Sequence, residues 1–232
     1  MKTDQPPPYW SRACRELSDR DAVLGRLIAV HRRDVLRGSG DPFRTVMNAV
    51  VGQQISVAAA AGIWKRLLAA FPGLDPLAVA SAEPETLRSV GLSRRKIEYV
   101  RGIAAAFTDG SVDPRGWDAM ADDEIRAALT SLRGVGPWTA DMVLVFHVRR
   151  PDVLPLGDLG LVNAAARLYG WREGSGPAGG APAGERTATG NRSRAYRELQ
   201  GRLAAHAERW RPWRTVATWF IWRDLDAEPV IY

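Results

Sequence analysis

The residues whose types and spacing could do chemistry fall in one stretch, Leu132–Val162, which reads LRGVGPWTADMVLVFHVRRPDVLPLGDLGLV. Near its start, Gly134-Val135-Gly136 separates two helical patterns. Glycines at 134 and 136 permit positive φ and leave backbone amides uncovered by side chains. Pro137 suits the first turn of the helix that follows. Outward-pointing amides at a helix N-terminus make an anion site of the kind a phosphodiester fills. A plain turn between two helices gives the same pattern. Near the end of the stretch stands one carboxylate, Asp158, between Pro155-Leu156-Gly157 and Leu159-Gly160-Leu161. An aspartate at a loop-to-helix junction is an ordinary N-cap. It is also a candidate catalytic acid facing a cavity, and the two roles are compatible.

The elements that must position these groups read as helices. Apolar residues recur at helical spacing from Tyr9 to Arg37, with Asp19 or Asp21 placed to cap the second of two helices. Asp41-Pro42 opens the next, and Gly52-Gln53-Gln54-Ile55-Ser56 ends it and caps its successor. Gln53 and Gln54 therefore sit at a tight turn. They either cap helix ends or put a side chain into a ligand or duplex. Residues 75–107 read as three short helices, and Ser93 caps the one that begins Arg94-Arg95-Lys96. That basic run is either a solvated helix face or a phosphate contact. Asp122-Asp123-Glu124 suits a helix start. Leu161–Tyr169 and Tyr196–His206 read as helices, Trp210–Arg214 as a helix start, and Thr215–Arg223 as a final, very apolar helix. No run alternates as a strand does. The fold class is all-α, with about ten helices.

Composition narrows the function. The chain has 232 residues, 46% apolar and 25% charged, enough for a substantial core. A formal charge of +6 favours an anionic partner without requiring one. Cys14 is the only cysteine, which excludes an internal disulfide framework, a multi-cysteine zinc site and a four-cysteine iron–sulfur cluster. The start MKTDQPPPYW lacks an apolar core, and no apolar run approaches about 18 residues. A soluble, intracellular, cytoplasmic protein with no membrane partner is expected. Residues 171–192 are rich in Gly, Ala, Pro and Thr and read as a flexible surface insertion. His31, His147 and His206 are isolated and read as structural or surface groups, Trp64 and Trp219 as core. Trp210 and Trp213 read as either core or pocket frame.

With Gly157-Asp158 downstream, LRGVGPWTADMVLVF resembles the helix-hairpin-helix/Gly-Pro-Asp superfamily of DNA base-excision glycosylases. Three further segments, DPFRTVMNAVVGQQISVAAAA, GLSRRKIEYVRGIA and WRPWRTVATWFIWRDL, are similar to its 3-methyladenine DNA glycosylase II branch. The resemblance runs from about Tyr9 to Asp226, apart from the insertion. It implies a single domain over 1–232, made of two helical subdomains with the active-site cleft between them, and a helix-hairpin-helix motif over 132–148. The N-terminal sheet subdomain of some longer members has no counterpart. The name-giving order is altered here to Pro155-Leu156-Gly157-Asp158.

Carried over position by position, the resemblance implies that Asp158 is the essential aspartate. Trp138 stands where bifunctional relatives carry a Schiff-base lysine, which implies a monofunctional enzyme without AP-lyase activity. Trp222 matches one aromatic wall of the base pocket and Trp138 a second. Met142 stands where some members have a tyrosine. Gln54 matches the residue that wedges into the duplex, a leucine in one branch; Gln53 is its neighbour in the turn. Arg133, Gly134, Val135, Gly136 and Thr139 complete the expected DNA-binding set. The implied activity is flipping and excision of alkylated purines of the 3-methyladenine and 7-methylguanine type, in base excision repair. A damaged base costs less than an intact one to extrude, and a cationic base stacks on indole for roughly 0.5–2 kcal/mol per contact. Such a base is already an activated leaving group. One carboxylate can then stabilise the oxocarbenium-like sugar and activate water. The partner is double-stranded DNA containing damaged bases, met by a monomer at the nucleoid. No cofactor is needed, although the hairpin carbonyls could hold a structural monovalent cation. Two alternatives stay open: a glycosylase for deaminated, oxidised or ethenylated bases, and a non-catalytic helix-hairpin-helix DNA-binding module.

Overall fold

The computed structural model describes residues 5–38, 40–171 and 189–225, without the side chains of 189–193. Among the described residues there are twelve α-helices and no strand, so the all-α expectation holds. Helices α1 (Trp10–Arg20) and α2 (Ala22–Val30) come first. Then follow α3 (Pro42–Gly52), α4 (Val57–Ala70), α5 (Pro76–Ala80), α6 (Pro84–Ser89), α7 (Arg94–Thr108), α8 (Asp122–Thr130) and α9 (Pro137–Val143). The last three are α10 (Leu159–Leu168), α11 (Thr189–His206) and α12 (Arg214–Arg223). By its internal contacts the chain divides into two compact units. The first is built on Arg37–Arg149 and holds α3–α9. The second combines Pro6–Leu36 with the chain from Arg150 onward, and so joins α1 and α2 to α10–α12.

The helix starts follow local chemistry. Asp21, not Asp19, caps α2, its Oδ1 accepting from the Val23 and Leu24 amides at 3.0 and 3.2 Å. Asp41 caps α3, Ser56 α4, Asp75 α5 and Ser93 α7. Each cap contributes about 1 kcal/mol by satisfying an otherwise orphaned amide. Proline occupies the first turn of α3, α5, α6 and α9, where its missing N–H has no partner to lose.

In the first unit, α3 is buried along Val46, Met47, Val50 and Val51 and packs with α7 and α9. Helix α7 is fifteen residues long, not short, because Ile97, Val100, Ile103 and Ala104 keep one face apolar throughout. Helix α9 widens into a π-helical turn over Leu144–Val148 that ends at Arg149, φ +62°. In the second unit, Trp10 packs against Trp219 and Phe220, with ring centroids 6.3 and 5.6 Å away.

That unit also contains a polar hub. Asp21 Oδ2 accepts from Tyr169 Oη at 2.9 Å and from Trp210 Nε1 at 2.9 Å, and lies 3.2 Å from His206 Nε2. His206 is thus a hub member and not isolated. Trp210 and Trp213 are both buried, Trp213 donating to Glu16. Before α12 a 3-10 turn over Ala207–Trp210 and a cis Arg211-Pro212 bond replace the helix start expected at Trp210. Trp219 is core, whereas Trp64 is half-buried beneath the Arg44 guanidinium, 5.5 Å from its ring. Of the insertion expected over 171–192, residues 172–188 lie outside the described residues; Trp171 stacks on Tyr169 at 5.4 Å, and 189–192 form the first turn of α11 rather than part of a loop. No helix among the described residues is long and apolar enough to cross a membrane.

Candidate functional site

The hairpin between α8 and α9 turns at Gly134, φ +93°, a left-handed conformation that only glycine adopts without strain. Its missing side chain has a second cause: a Cβ there would lie 2.3 Å from Tyr99 Cγ. The turn rests directly on the Tyr99 ring. Gly136 differs from expectation. Its φ is −102°, ordinary extended backbone, and it serves as the N-cap of α9, with open space where a Cβ would be. The two glycines therefore do different things, one making the turn and the other leaving the helix N-terminus bare. Around the ring, Arg95 donates to Tyr99 Oη at 2.9 Å. The Arg95 and Arg133 guanidinium carbons each lie 5.9 Å from the ring centroid. Arg133 is 77% exposed and lies 3.3 Å from Glu98. Val135 and Thr139 are buried, so their side chains point into the protein, and the Val135 amide donates to Leu132 O at 3.1 Å within the turn.

Inside the hairpin, Asp141 on α9 bonds Arg126 on α8 at 2.9 Å, and Arg126 also holds Asp123 at 2.8 Å. Burial raises the Asp141 carboxyl above the ordinary aspartate range despite its arginine partner.

The turn after α3 separates two residues that the sequence could not. The Gln53 amide donates to Gly134 O at 3.0 Å and to Thr139 Oγ1 at 2.9 Å, so this side chain is held within the protein. Gln54 is exposed, with φ +59°, and is flanked by exposed Ile55 and Val57. Lys96 reaches the same turn from α7. Its Nζ donates to Val51 O at 2.6 Å and Gln53 O at 2.9 Å, and burial lowers its pKa. Lys96 is therefore no part of a solvated face, unlike exposed Arg94 and Arg95. The sequence placed it in a basic run but carried no sign of its inward direction.

In the second unit, Asp158 caps α10, its Oδ1 accepting from the Leu161 amide at 2.6 Å. The turn that carries it closes through Asp158 N donating to Pro155 O at 2.9 Å. Gln200 on α11 pins the same turn by donating from Nε2 to Leu156 O at 2.7 Å. Tyr196, one helical turn before Gln200, lies in the field of Asp158; burial first, and that charge second, raise its phenol pKa. Neither Gln200 nor Tyr196 carried any sequence signal, because both act across a long chain separation. Gly160 keeps the carboxylate's flank clear, since a Cβ there would lie 3.2 Å from Asp158 Oδ1. Trp222 is half-buried on α12, a helix otherwise buried from Thr215 to Arg223. Trp138, at the start of α9, is half-buried too, while Met142 is fully buried. Among the described residues no group of three His, Cys, Asp or Glu side chains could hold a metal ion.

A family model described as HhH-GPD superfamily base excision DNA repair protein matches residues 47–178. A Bacillus subtilis protein named as a putative DNA-3-methyladenine glycosylase is 25% identical over 79% of this chain, which spans 59% of its length. The Schizosaccharomyces pombe DNA-3-methyladenine glycosylase 1 is 27% identical over 86% of this chain and 79% of its own. The solved structure of an S. pombe 3-methyladenine DNA glycosylase in complex with abasic DNA superposes with a TM-score of 0.73 at 25% identity. It covers 91% of this chain and 95% of that one. The matched span takes in the Gln53-Gln54 turn, the hairpin and Asp158, and the chain belongs to the HhH-GPD superfamily of base excision DNA repair proteins.

Proposed function

We propose that this protein is a monofunctional DNA glycosylase that flips alkylated purines, of the 3-methyladenine and 7-methylguanine type, out of duplex DNA and excises them. The observation that carries the reading is the Asp158 turn. A single carboxylate stands at the N-terminus of α10 on a turn pinned from both sides, in a chain whose relatives are named DNA-3-methyladenine glycosylases. Alkylation makes the base cationic, so the C1′–N bond breaks with its electron pair leaving on the base. Asp158 stabilises the oxocarbenium-like sugar, and takes a proton from the water whose oxygen bonds C1′. The bare amides of the hairpin hold the backbone, Gln54 fills the gap in the stack, and Trp138 and Trp222 each offer an indole face to a cationic base.

A lyase step needs an amine nucleophile. None of the chain's lysines lies in Leu132–Val162, where Trp138 stands in the lysine position of bifunctional relatives. A monovalent cation at the hairpin is compatible with its neutral carbonyl oxygens. Those of Leu132, Gly134 and Gly136 each accept one hydrogen bond and keep a second lone pair. The enzyme is proposed to act as a monomer on intracellular DNA.

The test is release of free base from methylated duplex DNA, with each product identified by chromatography. Duplexes with deaminated, oxidised and ethenylated bases in the same assay fix the lesion range. Asp158→Asn keeps the cap, since asparagine caps as well as aspartate, and so leaves the melting temperature nearly unchanged. It is expected to slow release by about 10²–10⁴-fold. Release by this variant at the wild-type rate overturns the mechanism.

A further inference from the structure

Four hydrogen bonds hold the turn at Gln53. Its carbonyl oxygen and that of Val51 take the Lys96 ammonium, and its side-chain amide joins Gly134 O and Thr139 Oγ1. Three separate pieces of chain are fixed to one another by this arrangement: the end of α3, the first turn of α7 and the hairpin. The carbonyls that Lys96 holds lie at the negative end of α3, where a cation is favoured. Two of the ammonium's three protons are thereby committed inside the protein. Gln54, the next residue, holds φ +59°, which costs a non-glycine residue about 1 kcal/mol or more and persists only where its surroundings enforce it.

We propose that Lys96 is a positioning residue for the wedge: it fixes the Gln54 turn to α7, on whose Tyr99 ring the hairpin rests, so that turn and hairpin act on DNA as one rigid body. The inference rests on the glycosylase reading. If the hairpin grips a phosphate while Gln54 enters the stack, the grip can drive insertion only when no slack separates them. A misplacement of about 1 Å is enough to cost about a hundredfold in rate. Lys96 differs in this from a phosphate contact. A phosphate contact would add close to one unit to the dependence of binding on salt, whereas a tether adds none.

The experiment uses the full chain and a duplex with a tetrahydrofuran abasic-site analogue flanked by 2-aminopurine, whose fluorescence reports insertion beside it. Lys96→Met and Lys96→Arg are compared with wild type at saturating protein, and affinity is measured across a salt series. Lys96→Met is expected to lose most of the fluorescence change while the slope of log K against log salt stays at the wild-type value. On methylated DNA its kcat falls at least tenfold with little change in KM, and Lys96→Arg recovers much of both. A wild-type fluorescence change in Lys96→Met overturns the inference. So does a slope shallower by about 0.9, which marks a lost phosphate contact. Gln53→Ala cuts the tie to the hairpin while leaving Lys96 in place. It must show the same loss of signal, so the inference remains testable if Lys96→Met folds poorly. Base release by the wild type is followed in parallel and alone decides the glycosylase reading, while the fluorescence comparison alone decides the role of Lys96.

Discussion

Asp21 in the second unit and Asp141 in the first are both buried, with residue exposures of 6% and 8%, yet their carboxyls are displaced in opposite directions. Burial raises both. At Asp21 it is outweighed by hydrogen bonds from Trp210, the Leu24 amide, Tyr169 and His206, which hold the group below the ordinary range. At Asp141 one guanidinium, shared with Asp123, does not outweigh burial, and the nearby charge of Asp122 adds to the rise. An anion inside a protein is held by donors that fill its lone pairs more than by one opposite charge. Asp21 ties α2 to Tyr169, His206 and Trp210 and is the anchor of its unit. Asp141 sits inside the hairpin as a tolerated guest.

The sharpest way to break this comparison is Asp21→Asn set beside Asp141→Asn. Asp21→Asn retains an N-cap oxygen but leaves the Trp210 indole and its neighbours facing an amide, and is expected to cost about 2–4 kcal/mol in denaturant unfolding. Asp141→Asn can still accept from Arg126 and is expected to change stability by no more than about 1 kcal/mol. Equal losses would mean that the two sites are equivalent after all.

A smaller effect is expected from pH. Burial lowers the pKa of both His206 and His147, so each contributes stability that is present above the unfolded value of about 6.5 and lost as pH falls through the folded one. Asp21 adds a second loss of the same sign below about pH 4. Asp141 has the opposite sign, because its raised pKa favours the folded state only on the acid side. Melting temperature should therefore fall steadily from pH 7 to pH 5. A flat profile would show that the histidines are not held neutral. The smallest expected effect is on turnover: Asp141→Asn should release methylated bases within about threefold of wild type, since it alters neither the turn at Gly134 nor the turn at Gln54.

Local chemistry made much of this legible in the sequence. Asp41, Ser56, Ser93 and Asp158 cap the helices they precede because capping needs only a side chain and the next three amides. Gly134 was readable as a turn, but its contact with Tyr99, thirty-five residues earlier, was not. Gly136 looked like its twin and is not, because φ is set by the whole hairpin and not by residue type. Gln53 and Gln54 were indistinguishable in sequence, since what separates them is the reach of Lys96 and the carbonyl of Gly134. The Asp21 hub was invisible for the same reason: its members come from residues 21, 169, 206 and 210. Trp64 read as core from its apolar helix, yet Arg44 covers it instead.

Ile55 and Val57, beside Gln54, are 39% and 54% exposed in the free protein. Insertion of Gln54 as the proposed wedge would move water off both. Phosphate contacts would dominate the salt dependence of binding, but they contribute little to its heat capacity. Association with a gapped stack should therefore carry a negative heat-capacity change that the electrostatics alone would not give. That calorimetric quantity belongs to two aliphatic side chains in a turn otherwise noticed only for its glutamines.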